Sequence, residues 1–242
     1  MDPKEWNAYV EKVANCQFPV PMEFINDCED WRCRSIVGRM LLVLEDMEGA
    51  IAVLSTVKDV KPNLDDVPDN GLSEAEHKVL CLRDIAEIVY KLTGTTAAPI
   101  IYLDEANHWC RAYKHPFRGA DRGAIWYRRQ ELLLEDGQRE RAMELAEKTW
   151  NEEKAEVKVN PYAFYAAKFL AEQLAAQGDY TKAALLLEAA YQYYPDNEDC
   201  QKALAEAGRL EDAEKRYQAY HKCTTISYEP WEKRELAVRK TY

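Results

Sequence analysis

Residues 164–197 constrain the fold of this chain more than any other stretch. They read FYAAKFLAEQLAAQGDYTKAALLLEAAYQYYPDN, with apolar residues three and four positions apart on both sides of Gly178. This spacing places the apolar side chains on one face of a helix, so the stretch predicts two amphipathic helices. Gly178 can end the first helix in a left-handed conformation, and Pro195 stops the second. Two helices joined by so short a turn are expected to fold back as an antiparallel pair.

A spacing of Leu, eight residues and then Ala recurs along the chain. It is found at Leu41/Ala50, Leu133/Ala142, Leu174/Ala183 and Leu204/Ala213. A glycine stands five residues before three of these alanines, as Gly137, Gly178 and Gly208. A small residue at the alanine position lets the second helix approach the first closely, and the glycine supplies the turn between them. The joint recurrence predicts a series of related helix pairs.

The pair in residues 164–197 resembles a tetratricopeptide repeat, whose pattern covers about 34 residues. The matching positions are Leu170, Leu174, Gly178, Tyr180, Ala183, Ala190 and Pro195. Residues 31–64 resemble the same pattern through Val37, Gly38, Leu41, Ala50, Leu54 and Pro62. The resemblance implies an all-α fold of about 11–12 helices, in which antiparallel pairs stack into a right-handed superhelical array. It also implies a concave groove, lined by the first helix of each pair, that binds extended peptides.

The same patterns predict one helical-repeat domain over residues 1–242. Ser73 and Glu76 predict a capping box that opens a helix ending by Gly94, in a region without the repeat consensus. Residues 61–72 are rich in turn-forming residues and predict a linker. The predicted parts are an N-terminal helix and first pair (1–64), a divergent pair and basic loop (65–122), three tetratricopeptide-like units (123–222) and a C-terminal capping helix (229–242).

Composition narrows the classes of function. The net charge of −11 argues against a nucleic-acid partner or an anionic membrane surface. The first residues do not resemble a secretory signal, and no apolar run approaches the length of a membrane span. The seven cysteines are odd in number and widely spaced, which favours reduced thiols over disulfides and predicts no metal site. We therefore expect a cytoplasmic protein without a cofactor.

A basic stretch at residues 111–129 stands out in this acidic chain. It contains six Lys or Arg residues and one acidic residue, Asp121. Arginine side chains bind carboxylate and phosphate groups in forked pairs, so the stretch predicts an anion or acidic-peptide site. The alternative is a solvated loop balanced by acidic helices nearby. Together with the expected inner helix faces, this selects eight candidate groove residues: Arg39, Arg118, Arg122, Tyr127, Arg128, Tyr165, Lys168 and Lys202.

Three functions are compatible with these patterns. The first is a non-enzymatic scaffold or adaptor whose groove binds a protein or peptide, acidic or with a free carboxylate. The second is a regulatory domain that senses a peptide or small ligand in a basic pocket near residues 111–129. The third, an enzyme with its site between helices, would need convergent titratable groups, and no nucleophile elbow, phosphate loop or zinc-protease motif is present. The sequence favours the first.

Overall fold

The structure, a computed structural model, describes residues 30–69, 71–115, 117, 122–154, 162–193 and 198–222. These ranges form ten α-helices, packed in sequential pairs that fold back on each other. The all-α fold class is therefore confirmed. The predicted helix at about 3–15 and the capping helix at 229–242 lie outside the described residues. Among the described helices, none combines the length and the apolarity needed to cross a membrane.

The chain divides into two compact units, residues 1–121 and 122–242. The first unit contains four of the described helices: α1 (Trp31–Val43), α2 (Met47–Ser55), α3 (Glu74–Thr93) and α4 (Ala97–Ala112). The second contains six: α5 (Arg122–Glu135), α6 (Arg139–Glu153), α7 (Tyr162–Ala175), α8 (Tyr180–Tyr191), α9 (Glu198–Ala207) and α10 (Ala213–His221). The predicted stacking of all pairs in one domain stays a prediction.

In the first unit, α1 packs against α2 and α3 packs against α4, while α3 also contacts α1 and α2. The predicted capping box opens α3: the Ser73 hydroxyl accepts a hydrogen bond from the Glu76 backbone, and the Glu76 carboxylate accepts one from the Ser73 backbone. Gly94 ends the helix in the left-handed conformation, with φ of 64°. Both predicted boundaries are confirmed, because each depends on local backbone hydrogen bonds that the sequence specifies.

Three of the helix pairs share one turn. In α1–α2, α5–α6 and α7–α8, the residue at the turn has positive φ: Glu45 (66°), Gly137 (74°) and Gly178 (81°). The next backbone N–H then donates to the leucine carbonyl five residues back, at 3.0 Å from Asp46, 2.8 Å from Gln138 and 3.0 Å from Asp179. These are the bonds of a Schellman motif. The Leu/Ala spacing therefore marks a recurring turn, and Glu45 adopts the left-handed conformation without being glycine.

The last pair, α9–α10, differs from these three pairs. Gly208 continues the helical hydrogen bonding of α9, since its N–H donates to the Leu204 carbonyl at 2.9 Å. After its pair partner α7, helix α8 packs most against α10 and much less against α9, which comes next in the chain. The reason is the size of the apolar faces. Helix α9 buries only Cys200, Ala203 and Ala207, whereas α10 buries two tyrosines, and its Tyr220 carbonyl accepts a 2.8 Å hydrogen bond from the Tyr191 hydroxyl.

The alanines of the recurring spacing are close-contact positions. Ala50, Ala142 and Ala183 are each fully buried in the second helix of their pair, and Ala213 is half-buried. In the first pair, the residue of α1 that faces Ala50 is Gly38. A Cβ added to Gly38 would lie 2.6 Å from the Leu54 side chain. In α5 the matching residue is Gln130, whose amide donates to the Ala142 carbonyl at 3.0 Å. The helices of a pair therefore meet at these small residues.

We expect Ala183→Leu to destabilise the second unit by about 1–3 kcal/mol, because the larger side chain has no space at a fully buried contact. Urea unfolding followed by circular dichroism measures the change. Ala205→Leu, which adds the same volume at an exposed position of α9, is the matched control and is expected to be nearly neutral. Equal midpoints for the two variants would contradict a tight contact at Ala183.

Candidate functional site

Helices α5 and α7 are the first helices of the first two pairs in the second unit. They pack directly against each other. Their interface is aromatic: the ring of Tyr127 lies 6.2 Å from that of Tyr165 and 6.0 Å from that of Phe169. The close approach requires a glycine in the first turn of α5, since a Cβ added to Gly123 would lie 2.0 Å from the Tyr165 ring. Tyr127 and Tyr165 are almost entirely buried, with 7% and 3% of their surface exposed. Both therefore position the surface above them instead of lining it.

The Glu172 carboxylate on this surface contacts side chains from three helices. The Tyr127 hydroxyl of α5 donates a hydrogen bond to Glu172 Oε2. Lys168 Nζ of α7 lies 4.0 Å from Glu172 Oε1, and His221 Nε2 of α10 lies 3.3 Å from the same oxygen. We call these four residues, Tyr127, Lys168, Glu172 and His221, the Glu172 cluster. It is partly exposed, since 23% of the Glu172 side chain and 42% of the His221 side chain reach solvent.

Lys168 is the least satisfied member of the Glu172 cluster. Its ammonium lies over the Tyr127 ring, 5.6 Å from the centroid, and its distance of 4.0 Å from Glu172 exceeds that of a hydrogen bond. Among the described residues, no acceptor takes a hydrogen bond from Lys168 Nζ. Only 18% of the Lys168 side chain is exposed. The cluster thus offers donors for which it has no acceptor.

The tyrosines around Glu172 stay neutral. Burial, and then the nearby Glu172 charge and its hydrogen bond, raise the pKa of Tyr127 well above its ordinary value. Burial and the Glu172 charge raise the pKa of Tyr217, on α10, to about 12. Neither phenol can therefore act as a base near neutral pH, and Tyr127 remains a hydrogen-bond donor. The arrangement is suited to binding a group by charge and hydrogen bonds.

The structure brings three of the predicted groove residues together: Tyr127, Tyr165 and Lys168. Arg128, next to Tyr127 in sequence, pairs along its own helix with Glu131 at 3.2 Å and Glu135 at 3.8 Å. It contacts the acidic residues that the alternative interpretation of the basic stretch invokes. Whether Arg128 also reaches a ligand stays a prediction.

The remaining predicted residues are Arg39, Arg118, Arg122 and Lys202. Arg39 belongs to the first unit, where it pairs at 3.4 Å with the buried carboxylate of Asp84. Arg122 is half-buried at the start of α5, and Arg118 lies outside the described residues. Lys202 is on α9 with 72% of its side chain exposed, near Glu198 and Asp199 of the same helix. The structure shows no contact between Lys202 and the cluster.

The sequence patterns did not predict His221 or Tyr217 as neighbours of Glu172. The two residues are four positions apart, so they share a face of α10, and their rings lie 5.4 Å apart. That spacing signals a shared face but not which helix the face meets. The contact depends on α10, instead of α9, packing against α8, which the repeat pattern did not predict.

Within the described ranges, no three His, Cys, Asp or Glu side chains are grouped so as to hold a metal ion. The Glu172 cluster combines one carboxylate, one ammonium, one imidazole and one neutral phenol.

Comparisons of the chain with models of protein families, with curated proteins and with solved structures give no match.

Proposed function

We propose that this chain is a non-enzymatic, tetratricopeptide-like scaffold or adaptor of the cytoplasm that binds a protein or peptide partner. The binding surface is formed by α5 and α7, and it takes an acidic side chain or a free carboxylate of the partner. In this proposal the helix pairs are units of a right-handed superhelical array, and α5 and α7 are neighbouring inner helices of its groove.

The repeated turn supports the array. Three pairs have a left-handed residue at the same position of the turn and the same hydrogen bond to the leucine carbonyl. Each continues into a second helix with a fully buried alanine at the same position. Recurrence of one supersecondary unit is the structural basis of repeat proteins. The direct packing of α5 on α7 is also what neighbouring inner helices would show.

The observation that carries the binding proposal is the state of Lys168. Only 18% of its side chain is exposed, and its ammonium stands 4.0 Å from Glu172 and donates no hydrogen bond within the described residues. A carboxylate from a partner would supply the missing acceptor in a charge-assisted hydrogen bond, which is stronger than a neutral one. The buried tyrosines beneath it hold the lysine in place, so little side-chain entropy is lost on binding.

Lys168→Gln tests the proposal. We expect this variant to weaken binding of a short fluorescent Glu-containing peptide with a free C-terminal carboxylate by about tenfold or more, since one charge-assisted contact contributes about 1.5–3 kcal/mol. Fluorescence anisotropy measures the affinity, which should also fall as salt increases. Lys202→Gln makes the same charge change on α9 and is expected to leave affinity unchanged.

Two results would contradict the proposal. One is equal affinity for the peptide and for a version with Gln in place of Glu and an amidated C-terminus. The other is equal loss for the Lys168 and Lys202 variants, which would indicate nonspecific attraction to positive charge. Adding Arg128→Ala to the Lys168 variant then shows whether Arg128 contributes to peptide affinity in addition to its pairs with Glu131 and Glu135.

A further inference from the structure

His221 and Lys168 compete for one oxygen atom. Both nitrogens lie within 4.0 Å of Glu172 Oε1, and they come from different helices, α10 and α7. The second carboxylate oxygen is already occupied by the Tyr127 hydroxyl. One unit of negative charge therefore faces two groups that can each be positive, and the two positive groups repel each other when His221 is protonated.

We propose that His221 makes binding of an acidic ligand at Lys168 coupled to proton uptake, so that the ligand binds more tightly at lower pH. The inference rests on the proposed function. A ligand carboxylate on Lys168 adds a second negative charge beside Glu172. That charge balances Lys168, which leaves the Glu172 carboxylate available to a protonated imidazole. The proton comes from solvent and resides on the His221 ring, and no other bond changes.

The groups around His221 agree with this coupling. From α7 it faces Glu172 and Lys168, and from α5 the neutral, hydrogen-bonded Tyr127. On α10 itself it lies against the Tyr217 ring, which in turn contacts Tyr180 of α8. The remaining ion pair between α10 and α8, Arg216 with Glu188 at 2.7 Å, is formed without His221. Helix α9 provides no charged contact to His221 within the described residues.

The coupling has a structural consequence for α10. The bond from His221 to Glu172 joins α10 to α7, whereas the other contacts of α10 described above are to α8. Ligand binding strengthens that bond by making the imidazole cationic. Helix α10 is therefore held more firmly against α7 when the acidic ligand is present.

Binding of the Glu-containing peptide should be measured at about pH 6 and about pH 7.5, because histidine is the side chain type that most often changes charge within this range. We expect affinity to be about three- to tenfold higher at the lower pH in the wild type, because charges separated by several ångströms at a protein surface interact by about that much. The dependence should be lost in His221→Gln and kept in His108→Gln, which removes an exposed histidine of α4. Calorimetry in two buffers of different ionisation enthalpy should detect proton uptake in the wild type alone.

A second measurement needs no ligand. Nuclear magnetic resonance titration of the His221 ring should give a higher midpoint in Lys168→Gln, which imitates neutralisation of the lysine, and a lower midpoint in Glu172→Gln. Peptide binding with equal affinity at both pH values, or a His221 midpoint that neither variant moves, would overturn the coupling. Absence of peptide binding at either pH would instead overturn the proposed function, while the ring titration would still decide whether the three side chains are coupled.

Discussion

Lys78→Ala is expected to lower the free energy of unfolding by about 2–5 kcal/mol, whereas Lys78→Met is expected to cost less than about 1.5 kcal/mol. Only 1% of the Lys78 side chain is exposed, in the middle of the first unit on α3. Its ammonium donates to the Lys58 carbonyl, lies 3.1 Å from Glu105 Oε1 and stands 6.0 Å from the centre of the Trp109 ring.

The two substitutions separate the contribution of the aliphatic stem from that of the charge. Alanine removes both and leaves a cavity among α3, α4 and the segment that follows α2. Methionine keeps most of the volume and removes the ammonium, with its charge and its hydrogen bond to the Lys58 carbonyl. Buried ion pairs are often replaceable by apolar residues of similar size. Glu105 has 43% of its side chain exposed and also accepts a hydrogen bond from Trp109 Nε1, so it remains solvated when Lys78 is lost.

Urea unfolding of both variants and of the wild type measures the difference. Lys58→Ala is the control, because it leaves the Lys58 carbonyl in place and removes a side chain that pairs with its exposed neighbour Asp59. If methionine destabilised the first unit as much as alanine, the ion pair and not the packed stem would be the stabilising element.

The second prediction with a large expected effect is a loss of folding stability at low pH that depends on His77. Burial, and then the charges of Arg39 and Arg32, lower the pKa of His77 from 6.5 to about 4. The side chain is 6% exposed, and its ring lies 6.2 Å from that of Trp31. In the folded state the ring is therefore neutral at pH values at which the unfolded chain already binds a proton.

The sign of the pH dependence follows from this difference. The unfolded state gains a proton at His77 as pH falls through about 6.5, while the folded state gains it only near 4, so stability falls across that window. The full difference between the two pKa values corresponds to about 3 kcal/mol in the free energy of unfolding. His77→Phe keeps an aromatic ring at this position and removes the titration, so its stability should fall less than that of the wild type between about pH 6.5 and pH 4.

Unfolding midpoints of the two proteins at several pH values provide the test. Carboxylates also titrate in this range, but they are common to both chains and are removed by taking the difference. Parallel pH profiles would show that the His77 ring is accessible to protons in the folded protein. A substitution of the exposed His108 by Phe controls for loss of a histidine as such.

The sequence by itself determined the helices and their pairing. The capping box at Ser73, the helix end at Gly94, the left-handed Gly178 and the close contact at Ala183 were all predicted from local patterns and are confirmed. Each of these features depends on interactions within a few residues, either backbone hydrogen bonds at helix ends or the periodicity of an apolar face. Such interactions are specified by nearby residues and need no knowledge of distant ones.

Tertiary structure decided which helices meet and which charges are satisfied. The placement of α10 against α8 depends on the competing apolar areas of α9 and α10, and it brings His221 to Glu172 across 49 sequence positions. The pairing of Arg39 with buried Asp84 and the burial of Lys78 follow in the same way from helix contacts. A charged residue in a sequence shows only that it needs a partner or water. Whether it binds its own chain or remains available for a ligand depends on the atoms that folding places around it, which is why Lys202 and Lys168 look alike in sequence and differ in the structure.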